Sequence, residues 1–193
     1  MRIFIPSPEL VEGPEGRTMR GYFAIGVEGI SKPMNLGNLF RSAHAFGASF
    51  VFTIRADARA FNMPSDTSRG ADHLPSFHFS RLEELNLPKG CRLVGIELVD
   101  NAIALPVFHH PLQAAYVLGP ERGTLSSELL AACDFVVKIP ARFCINVATA
   151  GAVVMYDRML ALGRFGERPL NERTKAEKPA RKPHGEVWRR RKP

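Results

Sequence analysis

The apolar run Tyr22-Phe23-Ala24-Ile25-Gly26-Val27, followed by Asn35-Leu36-Gly37-Asn38-Leu39-Phe40-Arg41, decides the fold class of this chain. The run has no polar alternation, which is typical of a strand buried on both faces of a sheet. In the second stretch the apolar residues share one helical side, and with the residues that follow they predict a helix over Asn35–Phe46. A buried strand that leads into an amphipathic helix is the repeating unit of parallel α/β sheets.

The same alternation continues along the rest of the chain. Further strands are predicted at Phe50–Ile54, Arg92–Glu97, Tyr116–Leu118 and Phe135–Lys138. Further helices are predicted at Ser80–Leu85, Ser126–Ala132 and Val147–Leu162. We therefore expect one α/β domain over residues 19–166, with a parallel sheet covered by helices on both faces.

The net charge of +7 is confined to the end of the chain. Residues 168–193 hold ten Lys and Arg against three Glu, so residues 1–167 are neutral. We expect residues 167–193 to be a basic tail without stable structure when alone, which attracts RNA phosphates or serves only for solubility. The Pro- and Gly-containing residues 1–18 are predicted to be a flexible leader, and either Met1 or Met19 could be the start.

Composition argues against several classes of protein. Three cysteines, an odd number, favour a reducing compartment such as the cytoplasm. The six histidines have no metal-ligand spacing with the cysteines, so no metal is expected. His109-His110 lies between two prolines and is predicted to be a loop rather than a catalytic pair. No apolar run approaches the ~18–20 residues that span a bilayer, so no membrane partner is expected.

The first block of interest is the start of the helix after the first strand. Pro33 precedes Asn35, which is predicted to be the N-cap whose side chain accepts a backbone N–H. Arg41 lies nearly two helical turns further on, so both side chains could border one cleft. Taken alone, the block fits a capped helix with an ordinary exposed arginine better, and only the companion blocks reverse that preference.

The second block, Leu118-Gly119-Pro120-Glu121-Arg122-Gly123, follows a predicted strand. Ligands of open α/β sheets bind outside the carboxyl ends of strands. Gly119 allows a ligand to approach the backbone closely, and Glu121 is expected to be buried or half-buried with a cationic or N–H partner. Arg41 is the predicted partner.

The third block combines Ile139-Pro140 with Cys144-Ile145-Asn146-Val147-Ala148. Pro140 is predicted to end a strand, because proline cannot donate to a sheet ladder. Asn146 is predicted to cap the last helix.

In this order and spacing, the three blocks resemble the motifs of the SpoU–TrmH branch of the SPOUT methyltransferases. The resemblance covers roughly Tyr22 to Gly163. Members of this family transfer a methyl group from S-adenosylmethionine to a ribose 2′-hydroxyl of RNA. The resemblance implies a C-terminal trefoil knot, a homodimer, a tRNA or rRNA substrate rather than DNA, and S-adenosylmethionine as the cofactor.

The resemblance also implies roles for individual residues. Arg41 would be catalytic, with Asn35, Glu121 and Asn146 holding it or the substrate. The residues that would bind the cofactor are Glu97, Leu118, Gly119, Ile139, Cys144, Ile145 and Ala148. The residues that would contact RNA are Arg41, Arg122, Arg189, Arg190 and Arg191.

Two departures from the family pattern leave alternatives open. Cys144 stands where the family commonly has serine, and the loop from Ile139 to Cys144 looks shorter. A non-catalytic RNA-binding or ribosome-associated protein on the same fold is therefore the alternative function. Because a guanidinium stays protonated in proteins, Arg41 is either a base with an unusually lowered pKa or a clamp on an RNA phosphate.

Overall fold

The computed structural model describes residues 21–61 and 74–163. Within these ranges the strands form one sheet in the order β3-β2-β1-β6-β4-β7-β5, and every neighbouring pair is parallel. The strands are β1 (Tyr22–Glu28), β2 (Phe50–Ile54), β3 (Ser76–Phe79), β4 (Arg92–Ile96), β5 (Ile103–Ala104), β6 (Gln113–Leu118) and β7 (Phe135–Lys138).

Helices cover both faces of this sheet, as predicted. The α-helices are α1 (Pro33–Ala45), α2 (Ser127–Ala132) and α3 (Val147–Leu162), and short 3-10 turns lie at Ala58–Phe61, Leu82–Glu84 and Leu105–Val107. One core cluster joins α1 and α3 to one face, whereas Leu125 and Leu129 of the α2 region join Phe50 and Phe52 on the other. Alternate residues of β1 and β6 enter the two cores, which is why both strands are apolar throughout.

Helix α1 begins two residues earlier than predicted. Lys32 is its N-cap, and Pro33 occupies the first helical turn. Proline is suited to that position because its fixed φ is helical and its missing N–H would have no helical partner. The prediction of Asn35 as the N-cap is therefore wrong, and its side chain is available for other contacts.

Helices α1 and α3 pack closely against one another at Gly151. A Cβ atom at this position would lie 2.4 Å from Leu39 Cδ1 and 3.3 Å from Ile25 Cδ1. Glycine thus lets α3 lie against both α1 and the sheet. The contact brings the N-terminal halves of the two helices to the same edge of the sheet.

Several elements differ from the sequence prediction in length or were not predicted. The helix predicted at Ser80–Leu85 is only the 3-10 turn Leu82–Glu84, and β6 begins at Gln113 rather than Tyr116. Strands β3 and β5 were not predicted, because β3 is only partly buried and β5 has two residues. The predicted leader and basic tail lie outside the described residues.

A buried polar network ties α3 to the amino ends of β1 and β6. Arg158, 2% exposed, donates to the carbonyl oxygens of Pro111 at 2.5 Å, Leu112 at 2.8 Å and Tyr22 at 3.3 Å. It also donates to the hydroxyl of Tyr116 at 3.2 Å. The charge of Arg158 is thus surrounded by oxygen atoms in the interior of the protein.

His110 extends this network and lies in a loop, as predicted. Its Nδ1 lies 2.6 Å from the Tyr116 hydroxyl and its Nε2 lies 2.9 Å from Asp157 Oδ2. Burial lowers the pKa of His110 and outweighs the opposing effect of Asp157. With a neutral ring, Nε2–H donates to the carboxylate and Nδ1 accepts from the hydroxyl.

Candidate functional site

A cleft of about 390 Å³ lies at the carboxyl ends of β4 and β6. Its apolar wall includes Ile96, Leu118, Val147 and Ala150, each less than 10% exposed. This volume falls within the range of about 300–1,000 Å³ typical of small-molecule sites. Of the residues assigned roles from sequence, those that line the cleft are Asn35, Glu97, Leu118, Gly119, Glu121, Ile139, Cys144, Ile145 and Asn146.

A chain of side-chain hydrogen bonds joins the three sequence blocks in this cleft. Asn35 Nδ2 donates to Glu121 Oε1 at 3.1 Å, and Asn35 Oδ1 accepts from Asn146 Nδ2 at 3.0 Å. Asn35 is 8% exposed, so its amide is fixed in orientation by both neighbours. The three blocks, separated by up to 111 residues in sequence, thus meet at one point.

Glu121 is held as a carboxylate by N–H groups at the start of α1. Its Oε1 accepts from Lys32 N at 3.0 Å, and its Oε2 accepts from Ser31 N at 3.2 Å and from the Ser31 hydroxyl at 3.3 Å. Burial opposes ionisation, but the hydrogen bonds from Asn35, Lys32 and Ser31 together hold the pKa of Glu121 below its usual value. An anion also suits the amino end of a helix.

Arg41 is not the partner of Glu121, contrary to the sequence prediction. The Glu121 carboxylate is bound by Asn35, Lys32 and Ser31, and Arg41 lies on an exposed part of α1 outside the cleft lining. Because 3.6 residues make one helical turn, two side chains that are six residues apart point to different faces of the helix. Spacing alone therefore could not place Asn35 and Arg41 in one cleft.

Asn146 caps α3, as predicted. Its Oδ1 accepts from Ala148 N at 2.9 Å and from Thr149 N at 3.4 Å. Ala148 is predicted to contact the cofactor. In the structure it is 6% exposed and is not among the residues that line the cleft. Its N–H is used by Asn146, which orients the amide that reaches Asn35.

Gly119 and Glu97 are packed tightly together on another wall. A Cβ atom at Gly119 would lie 3.1 Å from Glu97 Oε2 and 3.2 Å from Leu125 N. Glu97 Oε2 accepts from Leu125 N at 2.7 Å, and its Oε1 accepts from Leu98 N at 2.8 Å. A side chain at position 119 would therefore press against Glu97 and the backbone of Leu125, so glycine suits the packing here.

A second carboxylate that sequence reasoning missed holds the same loop from the other side. Glu28, 5% exposed at the end of β1, accepts from Ser126 N at 2.8 Å and from the Ser126 hydroxyl at 2.7 Å. Arg55 lies 3.4 Å from Glu28. Since β6 lies between β1 and β4, Glu28 and Glu97 hold Ser126 and Leu125, at the end of this loop, from both flanks. An acidic residue ending an otherwise apolar strand was the available signal.

Within the described residues the site offers amide, carboxylate and backbone groups rather than metal ligands. No group of three or more His, Cys, Asp or Glu side chains in residues 21–61 and 74–163 is arranged to hold a metal ion. The three cysteines are free thiols, and only Cys144 among them is exposed, at the cleft. Arg122 is exposed on the loop next to Glu121, and Arg189, Arg190 and Arg191 lie outside the described residues. Such a set can orient a polar ligand and hold a proton.

This chain is similar to several known proteins. A mouse tRNA (guanosine(18)-2′-O)-methyltransferase is 27% identical over 145 residues, which is 69% of this chain and 9% of that protein. An AdoMet-bound rRNA methyltransferase from Sinorhizobium meliloti has a TM-score of 0.66 at 19% identity, covering 74% of this chain and 57% of the other. This chain therefore spans only part of the length of these relatives.

A third similar protein is the SpoU methyltransferase AviRb from Streptomyces viridochromogenes in complex with AdoMet. Its TM-score is 0.64 at 21% identity, over 82% of this chain and 64% of the other. At these identities the structures establish the shared fold. The model of the SpoU rRNA methylase family matches residues 22–156, which contain β1, the cleft and most of α3. The chain belongs to the SpoU rRNA methylase family.

Proposed function

We propose that this chain is an S-adenosylmethionine-dependent methyltransferase that acts on a ribose 2′-hydroxyl of tRNA or rRNA in the cytoplasm. The observation that carries the proposal is the hydrogen-bonded set Glu121–Asn35–Asn146 inside a cleft at the carboxyl edge of the sheet. Family membership and the names of the mouse and bacterial relatives support the same chemistry.

The cleft has the properties that an adenosine-sized cofactor requires. Its volume of about 390 Å³ and its apolar wall fit such a group, and Gly119 is part of its lining. Leu118, Ile139 and Ile145 would provide apolar contacts, and Glu97 and Cys144 polar ones. When bound, S-adenosylmethionine would supply an electrophilic methyl group on its sulfonium sulfur.

The residues of this chain would then act mainly by positioning. Displacement at a methyl group needs the attacking oxygen in line, and correct orientation supplies much of the rate. Asn35, fixed between Glu121 and Asn146, would hold the ribose side of the site in one geometry. Exposed Arg41 would clamp an adjacent phosphate, because an exposed guanidinium remains a cation. The proton of the hydroxyl would pass to water, because Glu121 already accepts four hydrogen bonds and its lowered pKa makes it a weak base.

A direct test begins with cells that lack the gene. Mass spectrometry of their tRNA and rRNA nucleosides should reveal one missing 2′-O-methyl nucleoside, which names the substrate. The purified protein should restore that nucleoside in RNA from these cells when S-adenosylmethionine is added. An unchanged nucleoside profile together with no transfer in vitro would contradict the proposal.

The second candidate is a non-catalytic RNA-binding protein on the same fold. Cys144 and the short loop before it favour this candidate, since the cleft there is open and exposed. Calorimetry with S-adenosylmethionine distinguishes the two, because a binding module without activity does not need the cofactor. Binding of RNA without cofactor binding would favour the second candidate.

Arg41→Ala tests the role assigned to Arg41. We expect methyl transfer to fall by about a hundred-fold or more, with cofactor affinity nearly unchanged. A matching loss of cofactor affinity would mean that Arg41 shapes the cofactor pocket instead. Because Arg41 lies outside the cleft lining, the two outcomes are clearly separated.

We propose a homodimer that covers the outward side of α3. Val153, Tyr156 and Leu160 recur at helical spacing on α3 and are 36%, 44% and 37% exposed. Such an apolar stripe on the surface of a domain is typical of an interface. Tyr156→Lys should convert the dimer into a monomer in analytical ultracentrifugation. Retention of the dimer would place the interface elsewhere.

We also propose a trefoil knot in the C-terminal part of the chain. Strand β7 lies on the far side of β4, yet α3, which follows it, packs on α1. The chain must therefore cross back over the sheet between residues 139 and 147. A crystal structure that traces this crossing through or outside the preceding loop would decide the matter.

The basic tail is proposed to strengthen RNA binding through Arg189, Arg190 and Arg191. Deletion of residues 168–193 removes the entire net charge of +7. We expect lower RNA affinity and a shallower salt dependence, because fewer phosphates are neutralised. Cofactor affinity and the dimer should not change. Equal RNA affinity and salt slope would make the tail a solubilising segment only.

A further inference from the structure

The rim of the cleft carries one prominent aromatic side chain. Phe143 is 76% exposed, whereas the apolar wall behind it is less than 10% exposed at Leu118, Val147 and Ala150. Among the described residues that line the cleft, Phe143 is the only aromatic one. It lies in the turn between Pro140 and Cys144, where residues 141–144 are all exposed.

Three basic side chains lie at or beside the lining of the cleft that contains Phe143. Lys32 lines the cleft, and Arg122 and Arg142 are exposed beside lining residues. None of these three cations forms an ion pair with another described residue. The two carboxylates of the lining already accept hydrogen bonds from several N–H groups. A polyanion that approaches the cleft therefore meets available cations.

We propose that Phe143 and Arg142 form a platform for an RNA nucleobase next to the ribose presented to the cleft. The ring of Phe143 stacks on the base, and the Arg142 guanidinium binds a neighbouring phosphate. Stacking accepts any base, so the platform adds affinity and fixes the strand without demanding a sequence. This inference rests on the proposed function of the cleft.

The position of Phe143 favours the RNA over the adenine of the cofactor. A ligand held against the buried wall contacts Ile96, Leu118 and Val147, whose side chains are already enclosed. Phe143 instead presents most of its surface to solvent at the entrance. An RNA strand must pass that entrance for its ribose to reach Asn35.

The test compares full-length variants in two binding assays. Phe143→Ala removes the ring, Phe143→Tyr retains it, and Leu112→Ala removes an exposed apolar side chain, 55% exposed, from the opposite edge of the sheet. The RNA probe is total tRNA and rRNA from cells lacking the gene, and the cofactor probe is S-adenosylmethionine. Thermal unfolding verifies that each variant is folded.

Phe143→Ala should weaken RNA binding by roughly five- to a hundred-fold, with unchanged cofactor affinity. Phe143→Tyr should keep the RNA affinity of the wild type because it keeps the ring, and Leu112→Ala should also bind RNA like the wild type. Arg142→Gln should weaken RNA binding and lower the salt slope by about one. These results together support the platform.

Two results would overturn the inference. An equal loss of S-adenosylmethionine affinity in Phe143→Ala would assign the ring to the cofactor. Unchanged RNA affinity in Phe143→Ala would leave Phe143 as an exposed side chain without a ligand. A wild-type protein that binds RNA but no cofactor would instead refute the proposed function, and the RNA binding of Phe143→Ala would still decide the platform.

Discussion

Two polar networks hold opposite ends of this sheet, and they differ in what surrounds them. At the amino ends, Arg158 is 2% exposed and is surrounded by three carbonyl oxygens and the Tyr116 hydroxyl. At the carboxyl ends, Asn35 joins Glu121 to Asn146 on the wall of an open cleft. The first network is closed, and the second faces a space large enough for a ligand.

The comparison shows that similar hydrogen-bonded networks can serve stability at one end of the sheet and activity at the other. A buried cation needs hydrogen-bond partners, and both terminal nitrogens of Arg158 have them although its Nε does not, so Arg158 fixes the backbone around it. In the cleft, Asn35 is equally fixed, but the Glu121 carboxylate is only half-buried and can still meet another molecule. Substitutions in the first network should therefore reduce stability, and those in the second should reduce activity.

Arg158→Met should have the largest effect. Three carbonyl groups and the Tyr116 hydroxyl lose a donor, and each buried group left unpaired costs about 1–3 kcal/mol. Leu112 O keeps the Tyr22 N–H and the Tyr116 hydroxyl keeps His110, so these two groups are not left unpaired. We expect the free energy of unfolding to fall by about 3 kcal/mol or more, measured by urea denaturation. Arg92→Met is the matched control, since the Arg92 side chain is 59% exposed in its ion pair with Asp134. It should cost less than about 1 kcal/mol. Similar losses of unfolding free energy in the two variants would show that the buried Arg158 network stabilises the protein no more than the exposed ion pair.

Asn35→Asp should come next and should affect activity more than stability. The new carboxylate would face Glu121 Oε1, to which the Asn35 amide donates at 3.1 Å. We expect methyl transfer at pH 8 to fall by about a hundred-fold, because the network loses its geometry. Activity should partly return at lower pH, since one of two adjacent carboxyls protonates more easily. Asn38→Asp, on an exposed position of α1, should behave like the wild type. A flat pH profile for Asn35→Asp would refute the pairing.

Glu28→Gln should have a smaller effect, on both stability and cofactor affinity. The new amide NH₂ must face a donor, either Ser126 or Arg55, so at least one hydrogen bond is lost. We expect a loss of about 1–3 kcal/mol in unfolding free energy and weaker cofactor binding by calorimetry. Glu128→Gln is the control, because Glu128 also pairs with Arg55 but its side chain is 63% exposed. It should change stability by less than about 0.5 kcal/mol. Unaltered cofactor affinity in a folded Glu28→Gln protein would show that the loop does not need this anchor.

The smallest predicted effect is a pH dependence of stability that originates at His110. Burial lowers the pKa of His110 below the ordinary value of 6.5, so the unfolded chain binds the proton first as the pH falls. Stability should therefore be complete above pH 6.5 and should decline below it, until the pH passes the lower pKa of the folded state. His110→Gln should remove this slope, whereas His109→Gln, at an exposed position, should keep it. Urea titrations at several pH values measure the slopes, and an equal slope in His110→Gln would exclude His110 as its source.

Most strands and helices were predictable because the pattern of apolar and capping residues in a short stretch of sequence determines each of them. Apolar runs identified β1, β2, β4 and β7. The helix predicted from Ser126 matches α2, and the predicted cap Asn146 marks the start of α3. Partly buried β3 and two-residue β5 lack such a signal, since their pairing depends on neighbours far along the chain. The predicted start of α1 at Asn35 is too late because proline is compatible with the first helical position, which Pro33 occupies.

The sequence by itself determined the parallel α/β class and the three blocks from which the cleft is built. The tertiary structure alone decided which side chains of those blocks meet. Asn35 reaches Glu121 and Asn146, Arg41 does not, and Glu28 and Glu97 hold one loop from two strands. The physical reason is that periodicity fixes the local direction of a side chain, whereas contacts between residues about 30 to 110 positions apart depend on strand order. Only the placement of β6 between β1 and β4 brings these carboxylates to the same backbone.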